Sequence, residues 1–293
     1  MQIIRIALVF IMFFAWGFNL NAQQQMGTDQ QFSEFNLVSY GEKGKKLWEI
    51  DGKSADILSD IVKLTQIVAN VYGAQEDINI QADSGSFDKN ENRMHLEKNV
   101  VITTNKGAKL VTDSLDWDRE AELVTTSDTV NLESKNMVAV GEGAQAEPNL
   151  KKFSLEKDVK VQIKPEEEKG SKKDILKNRI DITCDGPMEV DYNNNLAVFK
   201  NQVRVDDGSM QLYSDIMDVY FNTSSTATAK SDNPEGMGGS INKIVAKGNV
   251  KIVRGENTSY SQEAVYSAQD KKIVLTGKPK LIIYSTEGIN ASP

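Results

Sequence analysis

The sequence predicts an all-β protein, an elongated antiparallel fold built from stacked strand–turn–strand units. Near-identical segments recur about every 30 residues: KNVVI, DTVNL, KDVKV, NQVRV, GNVKI and GKPKL, centred on Val100, Val130, Val159, Val203, Val250 and Pro279. Apolar and polar residues alternate with period two, as in a sheet with one dry face and one wet face. Helical periodicity is scarce. The best candidate, Lys53 to Tyr72, draws its apolar residues mainly from Ile and Val, which favour strands.

The chain opens with Arg5 and an apolar run from Ile6 to Phe18, followed by Asn19-Leu20-Asn21-Ala22 and then Gln23-Gln24-Gln25. A charged start, a short apolar stretch and a small exit residue describe an export signal. The run is shorter than the ~20 residues of a spanning helix. Residues 1–22 read as a signal peptide cleaved after Ala22 or as a retained N-terminal anchor; either reading puts the remainder outside the cytoplasm. Residues 23–46 are polar and read as a tether.

From Ile78 the alternation is clear. Ile78, Ile80 and Ala82 share one face, and Met94, Leu96, Val100 and Ile102 share the next. Phe153, Leu155, Val159, Val161 and Ile163 repeat the pattern, as do Ile273, Leu275, Leu281 and Ile283. Phe87, Trp117, Ala146, Val190 and Tyr266 stand at a constant distance before the central residue of their unit, and an acidic residue usually follows them. Turn formers such as Lys89-Asn90-Glu91-Asn92 and Asn193-Asn194-Asn195 come next, so each unit is a strand, a short turn and a strand.

Two intervals are longer than the period. The first excess is the charged stretch KPEEEKGSKKDILK, and the second is Thr223 to Ser240, rich in Ser, Thr, Ala and Gly. The organisation expected is a module over 47–163, a charged linker over 164–177, a second module over 178–285 and a tail over 286–293.

The net charge of −8 argues against a nucleic-acid binder. Cys184 is the only cysteine, which excludes an intramolecular disulfide. His95, the only histidine, lies on the polar side of its strand and reads as a solvated residue. Cys184 has no base in its own module and reads as a structural thiol. Asp88-Lys89-Asn90-Glu91-Asn92 begins like a calcium loop, but Arg93 occupies the glycine position, so it reads as a hairpin turn. Gly141-Glu142-Gly143 lacks the strand–glycine–helix setting of a phosphate loop. The acids recur with the repeat, as turn and strand-edge residues do. No catalytic group, metal site or cofactor is expected. The apolar stripe remains. It is either the core of a closed β-sandwich in an envelope scaffold or the wall of an open trough. Aromatics make up only 7% of the chain, which is little filling for a closed interior.

These features together resemble the periplasmic bridge proteins of lipopolysaccharide transport. WEIDGKSADI, INIQADSGSFDKNENRMHLEKNVVI, AKLVTDSLDWDREAELVTTSDTVNL and VGEGAQAEPNLKKFSLEKDVKV resemble LptC. RIDITCDGPMEVDYNNNLAVFKNQVRV, SDIMDVYFN, INKIVAKGNVKIVRGE and YSQEAVYSAQDKKIVLTGKPKL resemble the LptA/OstA family. The resemblance covers nearly everything between Leu47 and Tyr284.

It implies a twisted antiparallel β-jellyroll with an apolar groove open along one side, and a non-enzymatic periplasmic role. The groove would hold the lipid A acyl chains of lipopolysaccharide between the inner and outer membranes. The partners implied are an inner-membrane ATP-binding-cassette transporter and other Lpt jellyrolls, or further copies of this chain stacked edge to edge. Carried over by position, Ile180 and Ile182 match the first-strand pair of the LptA-like interior, with Ile78 and Ile80 as LptC-like counterparts. Phe87, Leu115, Trp117, Val190 and Tyr266 would line the same surface. The chain departs from the pattern in its cleavable-looking signal and its long Thr223–Ser240 loop.

Overall fold

The structure, a computed structural model, describes residues 30–41, 44–72, 77–134, 136–147, 150–164, 179–221 and 241–284. The expected signal or anchor, the charged linker beyond its first residue, the Thr223–Ser240 loop and the 286–293 tail lie outside the described residues.

Seventeen strands form one sheet over the described residues. The first nine are β1 (Gln30–Tyr40), β2 (Lys46–Leu58), β3 (Ile61–Tyr72), β4 (Asp77–Asp88), β5 (Arg93–Thr104), β6 (Lys109–Asp118), β7 (Leu123–Ser134), β8 (Met137–Glu147) and β9 (Lys152–Ile163). Each pairs antiparallel with the next, so this half is a meander. β10 (Ile180–Cys184) and β11 (Met188–Asp191) act as one interrupted strand, since both pair with β9 on one side and with β12 (Leu196–Asp206) on the other. The meander continues through β13 (Gln211–Phe221), β14 (Ile241–Arg254) and β15 (Asn257–Ser267). β16 (Lys272–Thr276) and β17 (Lys280–Ile282) lie along β15 as a second interrupted strand.

The sheet does not stop where the charged linker was expected to separate two modules. Ile163 pairs with Ile180, and one buried cluster runs from Ile50 to Phe221 across that junction. Lys53 to Tyr72 is strand, in β2 and β3, as its Ile and Val content predicts. The residues expected to be a polar tether contain β1, paired along its length with β2. β1 is an edge strand and most of its side chains are exposed, so its few apolar residues set up no visible alternation.

The recurring valines mark bends inside long strands rather than strand ends. Before Val100, Val159, Val203, Val250 and Pro279 the backbone turns left-handed: Lys98 and Asn99 (φ 63 and 54), Asp158 (φ 49), Asn201 and Gln202 (φ 65 and 53), Gly248 and Asn249 (φ 75 and 46), and Gly277 and Lys278 (φ 77 and 62), whereas before Val130 only the register shifts, between Thr126 and Thr129. Asn and Asp tolerate this conformation better than other residues with a side chain, and glycine pays nothing for it. That is the physical content of the repeated Asn-Val and Asp-Val. Such residues skip a step of the ladder, and the register shifts between Glu97 and Val100, Lys200 and Val203, and Lys247 and Val250. Pro279 fits its position because the break between β16 and β17 asks no ladder hydrogen bond of it.

The bends begin two units before the first repeated valine, at Phe35 behind Glu34 (φ 50) and at Ile67 behind Gln66 (φ 48). Opposite every bend residue the next strand carries a small one. The pairs are Phe35–Gly52, Ile67–Ala82, Val100–Thr112, Val130–Gly141, Val159–Cys184, Val203–Ser214 and Val250–Ser261. The reason is space: a Cβ on Gly52 would run into the Phe35 ring, and one on Gly141 would stand 3.1 Å from Leu155 Cβ. Val100, Val130, Val159, Val203 and Val250 are at most 1% exposed. Each such burial contributes about 1.5–3 kcal/mol, so the column of bends is a spine for the sheet.

Candidate groove

The bend divides β13 and β14 each into two arms, and residues of both arms line one space. Leu212 precedes the bend of β13 and Met217 and Val219 follow it; Ile241 and Ile244 precede the bend of β14 and Arg254 follows it. All six line one cavity of about 270 Å³. Ile180 and Ile182 of β10 and Tyr266 of β15 line it too, so three of the nine residues expected from sequence come together.

The cavity lies where the core is discontinuous. Ile180, Ile182, Met217 and Val219 belong to the large buried cluster, whereas Leu212 and Ala264 belong to a small one with Ala246, Val250 and Ile252. Between the clusters the two arms do not fill the space with side chains.

Toward the N-terminus four of the expected residues are buried in the large cluster. Ile78 and Ile80 are 2% exposed, Leu115 5% and Trp117 1%, all inside the large cluster. Phe87 is half-buried and packs against that cluster. Arg119 lies over both aromatic rings, with Cζ 6.0 Å from the Phe87 centroid and 5.7 Å from that of Trp117, and its Nη1 donates to Asn92 Oδ1 at 2.7 Å. Desolvation by these neighbours lowers the guanidinium pKa. Val190 is buried and lines a separate depression of mixed character with Lys152, Phe153, Glu189, Asp191 and Val198.

Sequence reasoning missed Leu212, Met217, Val219, Ile241 and Ile244. The signal lies in SDIMDVYFN, where the apolar alternation changes phase at Ile216 and Met217 because the bend intervenes. Reading the bend as a strand end conceals that both arms of one strand face the same space.

The remaining candidates have structural roles. His95 pairs across strands with Asp116, Nδ1 to Oδ1 at 2.8 Å, on a half-exposed face. Cys184 occupies the small position opposite Val159, and burial pushes its thiol pKa up. Asp88 Oδ1 accepts the backbone N–H groups of Asn90 and Glu91, and Asp191 Oδ1 those of Asn193 and Asn194, which explains the acid after each wall residue. Gly141 and Gly143 lie within β8 at a bend. Among the described residues no cluster of three or more His, Cys, Asp or Glu side chains is placed to hold a metal ion, and no helix is long and apolar enough to cross a membrane.

Two family models match the chain. Residues 4–164 match LptC (lipopolysaccharide-assembly, LptC-related), and residues 182–290 match the LptA/(LptD N-terminal domain) LPS transport protein family. No curated protein matches. Among solved structures, the chain is similar to LptH of Pseudomonas aeruginosa, described as the LptA homologous periplasmic component of the conserved lipopolysaccharide transport device. That similarity is 12% identity over 71% of this chain and 95% of that one, with a TM-score of 0.20.

Proposed function

The chain belongs to the LptC-related lipopolysaccharide-assembly family, and from that premise we propose that it carries lipid through the periplasm by shielding acyl chains between the two arms of its bent sheet. Membership of the family makes it a periplasmic, non-catalytic component of lipopolysaccharide transport that works with lipopolysaccharide and other Lpt proteins. The acyl-chain path, the stacking on further jellyrolls and docking to an inner-membrane ATP-binding-cassette transporter are our inference.

The observation that carries the groove reading is the apolar cavity that joins Ile180, Ile182 and Tyr266 to residues of both arms. An engineered cavity of ~150 Å³ accepts benzene, so about 270 Å³ admits a chain segment of roughly ten carbons. At about 0.8 kcal/mol per methylene removed from water, such a segment gains on the order of 8 kcal/mol without a polar contact. Conformational and positional entropy lost on binding offset part of this gain. Lipid can then be held and still be passed onward.

The burial of Ile78, Ile80, Leu115 and Trp117 in the large cluster favours a second reading for the N-terminal half, in which it is a strut with a filled core and lipid occupies only the C-terminal half. Photo-crosslinking residues placed at Ile80, Ile182 and the exposed Glu189 test both readings in cells. Labelling by lipopolysaccharide at Ile182 and not at Glu189 is expected. Labelling at Ile80 decides between a continuous path and a strut. Equal labelling at Ile182 and Glu189, or none at either, overturns the groove.

A further inference from the structure

The register of the sheet lines up one row of side chains on the face away from the groove. From β9 to β17 this row carries a cation on every second strand: Lys160, Arg204, Lys251 and Lys280. Thr183, Tyr213 and Tyr260 stand between them. Four of these seven residues are basic and none is acidic, in a chain of 293 residues with 34 Lys and Arg and a net charge of −8. Toward the N-terminus the same row runs through Val140, Asn131, Val111, Val101, Gln81 and Val68, without a charge. Successive residues of a strand point to opposite faces. Ile182, Val205 and Leu212 line the cavity, so Thr183, Arg204 and Tyr213 beside them face outward.

The tyrosines space the cations. Arg204 Cζ lies 5.8 Å from the Tyr213 centroid and Lys251 Nζ 5.6 Å from it, so this ring sits between two cations. Its hydroxyl donates to Gln211 Oε1 at 2.8 Å. Lys160, Arg204, Tyr260 and Lys280 are exposed, and Lys251 and Tyr213 half-buried. Three acids beside the row are engaged: Asp181 by Arg179, Asp215 by Asn249, and Asp206 by Gly208 N and Gln211. Asp206 also meets Arg204 at 3.3 Å, an exposed pair of the kind that contributes little. Asp158 and Asp185 stand two residues from Lys160 and Thr183, toward the bend.

Strands lie about 4.8 Å apart, so the cations recur every ~9.6 Å along a stripe of roughly 29 Å. We propose that this stripe binds an anionic glycan strand, an extended cell-wall polymer with a carboxylate-bearing substituent on alternate sugars. One sugar ring of such a polymer spans close to one strand spacing, so a carboxylate on every second ring meets a cation on every second strand. A nucleic-acid strand carries its charges about 3.4 Å apart, far more densely. A bilayer surface imposes no interval at all. The tyrosines fall under the uncharged sugars between, where each offers an apolar body and a hydroxyl. Family membership places the chain in the periplasm, where such a polymer lies between the membranes. Binding there tethers the carrier to the layer it spans and is independent of the groove reading.

Cosedimentation of the full chain with insoluble cell-wall glycan tests the proposal. The quadruple variant Lys160→Gln, Arg204→Gln, Lys251→Gln and Lys280→Gln is compared with Lys63→Gln, Lys109→Gln, Lys152→Gln and Lys272→Gln, which removes as many exposed cations away from the row. A third variant, Lys251→Tyr with Tyr260→Lys, keeps the net charge and breaks the interval. Binding at least about tenfold weaker than wild type is expected for the first and third variants, and near wild-type binding for the second. Conversion of the glycan carboxylates to amides is expected to abolish wild-type binding. Circular dichroism of each variant is expected to match the wild-type spectrum, so that lost binding reports the row. No binding by the wild-type chain, or equal losses in the two quadruple variants, overturns the proposal. Undiminished binding by the exchanged pair overturns the match of interval. Binding to phosphatidylglycerol vesicles as tight as to the glycan overturns it in favour of a membrane surface.

Discussion

Replacing Ile244 with tryptophan separates a lipid path from an ordinary core. Ile244 is half-buried and lines the cavity, so a larger side chain there has empty space to enter. The exchange adds roughly six ring atoms, enough to occupy about half of a space that admits roughly ten carbons. Lipid binding would lose up to about six methylene contacts at ~0.8 kcal/mol each, on the order of 5 kcal/mol. Because the arms can yield a little, the expectation is a loss of at least about 1.4 kcal/mol, a tenfold weaker affinity. Stability behaves oppositely. Extra atoms in a filled core cost about 1–3 kcal/mol through displaced neighbours, whereas extra atoms in an open cavity cost nothing or stabilise slightly. Urea unfolding of the full chain and displacement of a fluorescent fatty-acyl probe are measured on the same preparation. A lipid path at Ile244 predicts unchanged or raised stability with weakened probe binding. A variant destabilised by 1–3 kcal/mol, or a stable one with undiminished binding, would refute it.

Ser214 and Ser261 stand opposite bend valines, and their buried hydroxyls find no hydrogen-bond partner among the described residues. Ser214→Ala and Ser261→Ala should therefore be neutral or stabilising by about 1 kcal/mol, while Ser214→Ile should cost at least about 2 kcal/mol by overpacking, both read from urea unfolding. Cys184 should resist alkylation by iodoacetamide at pH 8 in the native protein and react on denaturation, since burial raises its pKa and blocks access; rapid native labelling would contradict its placement opposite Val159. Asp118 accepts the Ala121 N–H and pairs with Arg93, which together hold its carboxyl below the usual range. Its folded pKa is depressed, so its stabilisation is present above the unfolded value of about 3.9 and lost as pH falls through the folded one. Asp118→Asn should lower stability at pH 7 and leave a shallower decline below about pH 4, seen by circular dichroism in acid titrations.

Much of this was legible in the residues. Period-two alternation announces the strands, and Asp-initiated turns such as Asp88 and Asp191 announce where the chain reverses, because both signals are local. The earliest bends were not legible. At Phe35 and Ile67 the residues that turn left-handed are Glu34 and Gln66, neither of which advertises that conformation as Asn and Gly do. Nor was the phase change at Met217, where the bend moves the apolar face from one parity to the other.

The sequence by itself determined the strands, their order and the recurring bend residues, since side-chain alternation and turn chemistry act over a few neighbours. Only the tertiary structure decided that β9 carries the sheet across to β10 and that space is left between Ile182 and Ile244. Whether two arms meet depends on side chains distant in sequence and on the angle at every bend between them. Burial of an isoleucine is written in its strand, but the space left beside it is a property of the whole fold.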